Sequence, residues 1–581
     1  MTRSGPHRSR PPHPIPEIGG AAGLRLDGLA KQALETGRNR LVFAGALFAL
    51  TFLVVGLRLI DVALFKEGHE PTLVRAPAAE SLRMERADIV DRNGVVLATN
   101  LVTASLYAHP GKVLGAEEAA AALARALPEL NQAEVRARLG SARAFVWLKR
   151  NLTPRQQYAV NRLGIPGLYF RREEKRFYPH GRLASHLVGF TDIDNVGLAG
   201  VERYFDDALR GASGPLRLSL DVRVQHILRE ELMRAVGEFQ AVGAAGIVMN
   251  ARTGEMLAMV SLPDFDPNRP ALARDDARFN RAALGVYEMG STFKIFTTAM
   301  ALESGVVTLN DGYDATDPIR VARFVIRDFK PQRRWLSVPE IFFYSSNIGA
   351  AKMALAVGGA GQRAFLDRLG LLRAAPLELT EVGVPMVPSP WREISTMTIA
   401  YGHGLAVTPA QMAAAIAAVV NGGIAYPPTL VRHHDGDGPA GERVLSARTS
   451  EQMRRLLRLN VVKGTGRKAA VPGYLVGGKT GTAEKIVGRR YRRGVRLSSF
   501  VAAFPINEPR YVVVVLLDEP KGNESTHGYA TGGWVAAPVV ARAIARMAPL
   551  VGVEPINEDT PEIREAMLVN IKPRGRELAS F

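Results

Sequence analysis

A serine and a lysine three residues apart stand out in this chain. Gly290-Ser291-Thr292-Phe293-Lys294 opens an apolar run that continues to Leu302. Helical positions i and i+3 share a face, so an amine at 294 reaches a hydroxyl at 291. Serine is a weak nucleophile until a neighbouring base takes its proton. A lysine serves as that base when burial or another cation lowers its pKa. At a helix start, the Ser291 amide also joins the unpaired N–H groups that favour an oxyanion. The pair has a plainer reading too, an N-capping serine followed by a surface lysine.

Two further elements shift that balance. Ser345-Ser346-Asn347 follows 54 residues after Ser291 in a stretch of helical composition; by itself it reads equally as a polar cap. Gly478-Lys479-Thr480-Gly481-Thr482-Ala483 places Lys479 188 residues after Ser291 and precedes the apolar run Ser499 to Phe504. On an edge strand, Lys-Thr-Gly offers a cation, a hydroxyl and a glycine for close backbone approach; the alternative is a turn between strands. In this order, Ser-x-x-Lys, Ser-x-Asn and Lys-Thr-Gly form the signature of penicillin-binding proteins and class A β-lactamases.

From the anchor candidate described below to about residue 548, the chain resembles a class B penicillin-binding protein. Arg86-Ala-Asp-Ile-Val-Asp-Arg-Asn-Gly94, Arg176-Phe-Tyr-Pro179, Ala184-Ser-His-Leu-Val-Gly189 and Gly197-Leu-Ala-Gly-Val-Glu202 look like the family's non-catalytic boxes. We read these as packing of a pedestal. Leu220-Asp-Val-Arg-Val-Gln225 resembles the entry to the transpeptidase domain, and Gly402-His-Gly-Leu-Ala-Val-Thr-Pro409 matches a further segment.

The resemblance implies a peptidoglycan D,D-transpeptidase that β-lactams acylate, with no metal or organic cofactor. Ser291 attacks the penultimate D-Ala carbonyl of a stem peptide and Lys294 takes its proton. Ser345 relays that proton to the leaving amine, while Asn347 holds Lys294 and the substrate amide. Lys479 keeps the site positive. Thr480 and Thr482, flanking Gly481, face the substrate carboxylate, and the amides of Ser291 and Thr482 form the oxyanion hole. An amine from a second stem peptide then resolves the acyl-enzyme. Within the family, the length and the Tyr-Glu-Met-Gly-Ser-Thr-Phe-Lys context suit the division-specific branch, with the elongation enzyme and a hydrolytic β-lactamase or carboxypeptidase as alternatives. A scaffold without catalysis is a further class. Residues 66–219 hold no paired-carboxylate glycosyltransferase signature, so glycan polymerisation falls to a partner, a membrane glycan polymerase of the FtsW type acting with other division proteins.

The elements that must position these groups are legible in outline. Residues Leu41 to Leu57 carry no charge and are closed by Arg40 and Arg58. Seventeen residues at about 1.5 Å each span roughly 25 Å, and snorkelling arginines extend that towards a bilayer crossing. A long head and Arg58-Leu-Ile-Asp61 directly after the run argue against a cleaved signal peptide or a core helix. The first 40 residues hold seven basic and three acidic side chains, which keeps the N-terminus cytoplasmic and places everything after residue 65 outside that membrane. The resemblance implies that this is the inner membrane and that the catalytic part is periplasmic.

The expected order is therefore a disordered tail (1–39), a single transmembrane anchor (40–65), an elongated α+β pedestal (66–219), a transpeptidase domain (220–548) and a polar, mobile tail (549–581). Helix at Glu117–Leu127, an amphipathic helix over Asp221–Phe239, strands at Ala245–Asn250, Met256–Ser261, Ser499–Phe504 and Tyr511–Leu517, and a last helix at Val535–Met547 follow from the apolar spacing. They predict an α+β domain whose central sheet comes from both ends of the segment. The resemblance adds that the sheet is antiparallel and sandwiched by helices.

With no cysteine, disulfides and thiolate chemistry are excluded. The net charge of +18 invites a nucleic-acid reading, but the tail and the stretch Glu484 to Arg496, six basic residues against one acid, hold half of it. That makes it a topology signal plus one basic loop, either solvated or engaging an anionic wall polymer, lipid headgroups or a partner, and no nucleic-acid partner is called for.

Overall fold

The computed structural model describes residues 29–60, 86–212, 214–321, 324–433, 438–487, 490–569 and 571. Most of the expected tail 1–39, residues 61–85 and the last ten residues lie outside them. The chain divides into two units, Met1–Leu82 and Arg83–Phe581. In the first, a helix covers Leu29–Ile60, where the anchor is expected. Among the described residues, however, no helix is long and apolar enough to cross a membrane.

The pedestal is a five-stranded sheet built around the long strand Val96–Ala108, which pairs antiparallel with Val146–Leu152 and with Leu168–Phe177. The turn into this strand uses Asp91, whose Oδ1 accepts the amides of Asn93 and Val95 at 2.7 and 2.8 Å. Gly94 completes it at φ +88°, a left-handed conformation that costs glycine nothing. Leu106, Leu148 and Leu152 of the sheet bury against Leu123 and Leu127 from the first helix and Val135 and Leu139 from the second, Ala116–Ala126 being the helix expected at Glu117–Leu127. Three of the boxes meet in one buried cluster: Glu202 accepts from Arg86 Nε at 2.7 Å and from Arg176 Nε at 2.6 Å, and Arg86 also reaches Asp206 at 2.7 Å. Their separation in sequence gives no local hint of this contact.

In the second part of this unit a five-stranded antiparallel sheet runs in the order Gly477–Val487, Arg490–Phe504, Tyr511–Asp518, Gly243–Asn250, Met256–Leu262. The two strands from the start of the segment and the three from its end lie side by side in one sheet, joined by the pairing of Tyr511–Asp518 with Gly243–Asn250, as the apolar pattern predicts. Alternation along Tyr511–Asp518 explains the layering. Val512, Val514 and Leu516 pack with Phe296, Ile416 and Val419, while Val513, Val515 and Leu517 pack with Leu228, Leu232, Val540 and Ile544. Both faces of a period-2 strand are thus apolar because helices cover both. The helix Val222–Glu238, capped by Asp221 accepting from the Arg223 amide, and the helix Ala537–Met547 lie on one face. The other face carries Lys294–Glu303 and Pro409–Val420.

One expectation is corrected. The segment after 548 is not a free tail as far as it is described: Ile556, Ile563, Met567 and Val569 pack against the larger core, and Glu558 pairs with Arg458. Its short helix Pro561–Ala566 gives too few turns for a periodic signal.

Candidate active site

Ser291 sits in a 3-10 turn, Gly290–Phe293, that feeds directly into the helix Lys294–Glu303. Gly290 has φ +56°, and a Cβ there would stand 2.6 Å from the Thr482 carbonyl oxygen. From the strand side, a Cβ on Gly481 would stand 2.4 Å from the Met289 carbonyl oxygen. The serine turn and the Lys-Thr-Gly strand therefore touch backbone to backbone, which only glycine permits on either side. That strand is the sheet's edge, so no neighbouring strand takes its outer backbone groups.

The Ser-Ser-Asn element is an elbow between two helices. Val338–Tyr344 ends at Ser345, left-handed at φ +63°, and Asn347–Val357 begins after the N-cap Ser346, whose side chain accepts from Gly349 N at 3.0 Å. A serine held in this region costs on the order of 1–3 kcal/mol and persists only where its surroundings over-determine it.

Lys294 joins the three elements. Its Nζ lies 2.8 Å from Ser291 Oγ, 2.9 Å from Ser345 O, 3.2 Å from Ser345 Oγ and 2.6 Å from Asn347 Oδ1. Burial pushes this amine well below its ordinary value; the nearby charge of Lys479 adds to the effect and Asp328 opposes it. A neutral amine has two N–H donors and one lone pair. Asn347 Oδ1 and Ser345 O take the two donors, which leaves the lone pair for the Ser291 hydroxyl proton. That is the arrangement of a general base with its nucleophile.

Lys479 is likewise buried, and burial pushes its amine down to about 7. It donates to Ser345 Oγ at 3.0 Å and lies 5.9 Å from the centre of the Phe342 ring. Ser345 Oγ thus stands between the two lysines, within reach of both. The threonines are already engaged: Thr480 Oγ1 is 2.7 Å from Thr465 Oγ1, and Thr482 Oγ1 accepts from Gly532 N at 3.1 Å. Because Thr482 accepts that bond, its own proton can still be given to a ligand.

The structure adds groups to which the sequence reading gives no role. Asp328 and the Arg327 carbonyl bond the Ser-Ser-Asn elbow, and Asn460 ties Thr465 to the Lys-Thr-Gly strand through Gly478 O. Glu288, buried and raised by that burial, accepts from Gly404 N at 2.7 Å and contacts Tyr491 Oη at 3.1 Å. His403 is lowered to about 4, by burial first and then by the charge of Lys294, and stays neutral at working pH. Glu288 and His403 lie in segments matched by resemblance, but Arg327, Asp328, Asn460 and Thr465 carry no short-range pattern and are found only through contacts distant in sequence. The basic stretch Glu484–Arg496 forms the end of the hairpin between the edge strand and its neighbour, with residues 488–489 outside the described ones. One of its six cations, Lys485, is paired with Asp518 and Glu519, each at 2.8 Å.

Family models decide the kinship: the penicillin-binding protein transpeptidase domain matches residues 244–545, and the penicillin-binding protein dimerisation domain matches 82–232. The chain belongs to the class B penicillin-binding proteins. Among relatives in this family, a probable peptidoglycan D,D-transpeptidase FtsI of Caulobacter vibrioides is 45% identical over 490 residues, covering 82% of this chain and 83% of the relative. The peptidoglycan D,D-transpeptidase FtsI of Escherichia coli K12 is 31% identical over 551 residues, covering 88% and 91%. The crystal structure of penicillin-binding protein 3 from Mycobacterium tuberculosis, complexed with aztreonam, shares the fold at a TM-score of 0.65 and 24% identity, over 81% of this chain and 97% of that one.

Proposed function

We propose that this class B penicillin-binding protein is the division-specific peptidoglycan D,D-transpeptidase, cross-linking stem peptides of septal wall through an acyl-enzyme on Ser291. The observation that carries this reading is the buried Lys294 amine, 2.8 Å from Ser291 Oγ with its donors taken by Asn347 and Ser345. Lys294 takes the hydroxyl proton as Ser291 attacks the penultimate D-Ala carbonyl. Ser345, bonded to both lysines, passes a proton to the departing D-Ala amine. The amides of Ser291 and Thr482, on backbones in contact, hold the oxyanion. Lys479, Thr480 and Thr482 receive the terminal carboxylate beside Gly481. β-Lactams take the same path and stop at the acyl-enzyme.

The division role is supported by the FtsI relatives at 45% and 31% identity. In the same reading, the helix Leu29–Ile60 anchors the chain once in the inner membrane with its N-terminus cytoplasmic, and glycan strands come from a polymerase of the FtsW type. The large apolar side chains Phe43, Leu47, Phe48, Phe52 and Leu57, all exposed, support the anchor. Fluorescent penicillin tests the chemistry: wild-type protein labels covalently and Ser291→Ala does not, and labelling of that variant refutes the assignment. With lipid-linked substrate and a glycan polymerase, formation of the aminolysis product separates a transpeptidase from a hydrolase. Depletion separates the roles, since filaments follow from loss of division and rounded cells from loss of elongation.

A further inference from the structure

We propose that Asp328 is a positioning residue for acyl transfer, the group that holds Ser345 and Asn347 at working distance from Lys294; this rests on the acyl-enzyme reading above. The Asp328 carboxylate accepts three bonds from the elbow. Oδ1 takes the Asn347 amide at 2.5 Å and the Ile348 amide at 3.0 Å, and Oδ2 takes the Ser346 hydroxyl at 2.7 Å. These donors come from three consecutive residues directly after Ser345, whose left-handed backbone needs outside support. A carboxylate suits three donors because it is acceptor-only, with two oxygens and about four lone-pair sites.

The neighbouring residue completes the device. Arg327 O accepts from Asn347 Nδ2 at 2.9 Å, which turns the other end of that amide, Oδ1, to Lys294 at 2.6 Å. The Lys294 N–H selects the oxygen end of the amide, and the Arg327 carbonyl, which can only accept, fixes the same orientation from the other end. The support is itself anchored. Asp328 follows the strand Phe324–Ile326, paired antiparallel with Ile319–Val321, and Ile326 is buried with Ala351 from the helix that Asn347 begins. One short hairpin therefore packs on that helix and bonds its first turn, as expected of a shell that fixes catalytic rotamers.

The test is the first-order acylation constant of full-length protein with fluorescent penicillin, read separately from labelling amplitude. Amplitude counts folded sites; the rate constant reports geometry at each site. Asp328→Ala is expected to lower the rate constant about 100-fold, the cost of displacing a catalytic group by about an ångström. Asp328→Asn is expected to stay within about threefold of wild type, because its oxygen still accepts the two amides and its NH₂ can donate to Ser346 Oγ. Ser346→Ala removes one bond of the three, together with the N-cap to Gly349 N, and is expected to lose at least about three- to tenfold, a net hydrogen bond's worth. A wild-type rate constant in Asp328→Ala overturns the proposal. If that variant does not fold, a wild-type rate constant in Ser346→Ala overturns it instead. Labelling of Ser291→Ala, by contrast, overturns the acyl-enzyme reading and leaves the bonding of Asp328 to the elbow as it is.

Discussion

Lys479 sets an upper pH limit on acylation. In the free enzyme its amine titrates near 7 because it is fully buried. If its positive charge receives the carboxylate of a penicillin, the competent fraction is about one half at pH 7, about one in eleven at pH 8 and about one in a hundred at pH 9. The second-order constant kcat/KM, which reports free-enzyme ionisations, should therefore fall about fivefold from pH 7 to 8 and about tenfold again to pH 9. The first-order constant at saturation should fall far less, because a bound carboxylate favours the charged amine and raises its pKa. On the acid side the sign is reversed. Lys294 acts only when neutral, so activity is lost as pH drops through its depressed value.

The assay is stopped-flow labelling from pH 5 to 10 with an anionic penicillin and with its uncharged ester. The ester should lack the basic limb, since it has no carboxylate to pair. Lys479→Arg, whose guanidinium stays charged throughout, should lower the plateau and flatten the limb. A wild-type kcat/KM that is level from pH 7 to 9, or a limb of equal depth with the ester, refutes the link between Lys479 charge and carboxylate capture.

Other consequences are equally direct. Lys479→Met should stabilise the protein at pH 7. The folded pKa of about 7 lies below the 10.5 of the free side chain, a difference equivalent to about 5 kcal/mol. Between those values the unfolded chain binds more protons, so wild-type stability rises with pH by up to about 1.4 kcal/mol per unit, and the variant's advantage in thermal melts should shrink over that range. An advantage independent of pH, or a loss, counts against it. Gly290→Ala should cost about 100-fold in acylation rate, because its Cβ would meet Thr482 O at 2.6 Å and part the serine turn from the strand; unchanged labelling kinetics disprove that contact. Glu202→Ala leaves buried Arg176 without its carboxylate and leaves Arg86 with Asp206 alone, and should destabilise the protein by about 3–5 kcal/mol while the acylation constant of folded molecules at 25 °C stays at the wild-type value. Charge reversal at Arg489, Arg490, Arg492 and Arg493 should impair growth without altering penicillin acylation, and normal growth would dismiss a role for that hairpin in binding anionic polymer.

What the sequence makes legible is what it encodes locally. Ser291 and Lys294 are neighbours on one helical turn, and the strand Tyr511–Asp518 shows both its faces in its own composition. The Ser-Ser-Asn and Lys-Thr-Gly elements are legible as a set because order and residue type survive even where distance in the chain does not. The support behind them has no such trace. Asp328 reaches the elbow across 18 to 20 residues, as Ser346, Asn347 and Ile348 do not neighbour it in sequence. Asn460 reaches Gly478 across 18, and Arg86 reaches Glu202 across 116. An aspartate before a loop and an asparagine late in a helix look alike whether they face solvent or hold an active site. The left-handed backbone of Ser345 is the sharpest case. Nothing in Ser-Ser-Asn marks its first serine as the residue that leaves helical geometry, yet that departure lets its carbonyl and its hydroxyl both face Lys294. The backbone strain is tolerated because Asp328 and Arg327 fix the next three residues. The part of the site that sequence reading misses is therefore the part that makes the recognised motifs work as one unit.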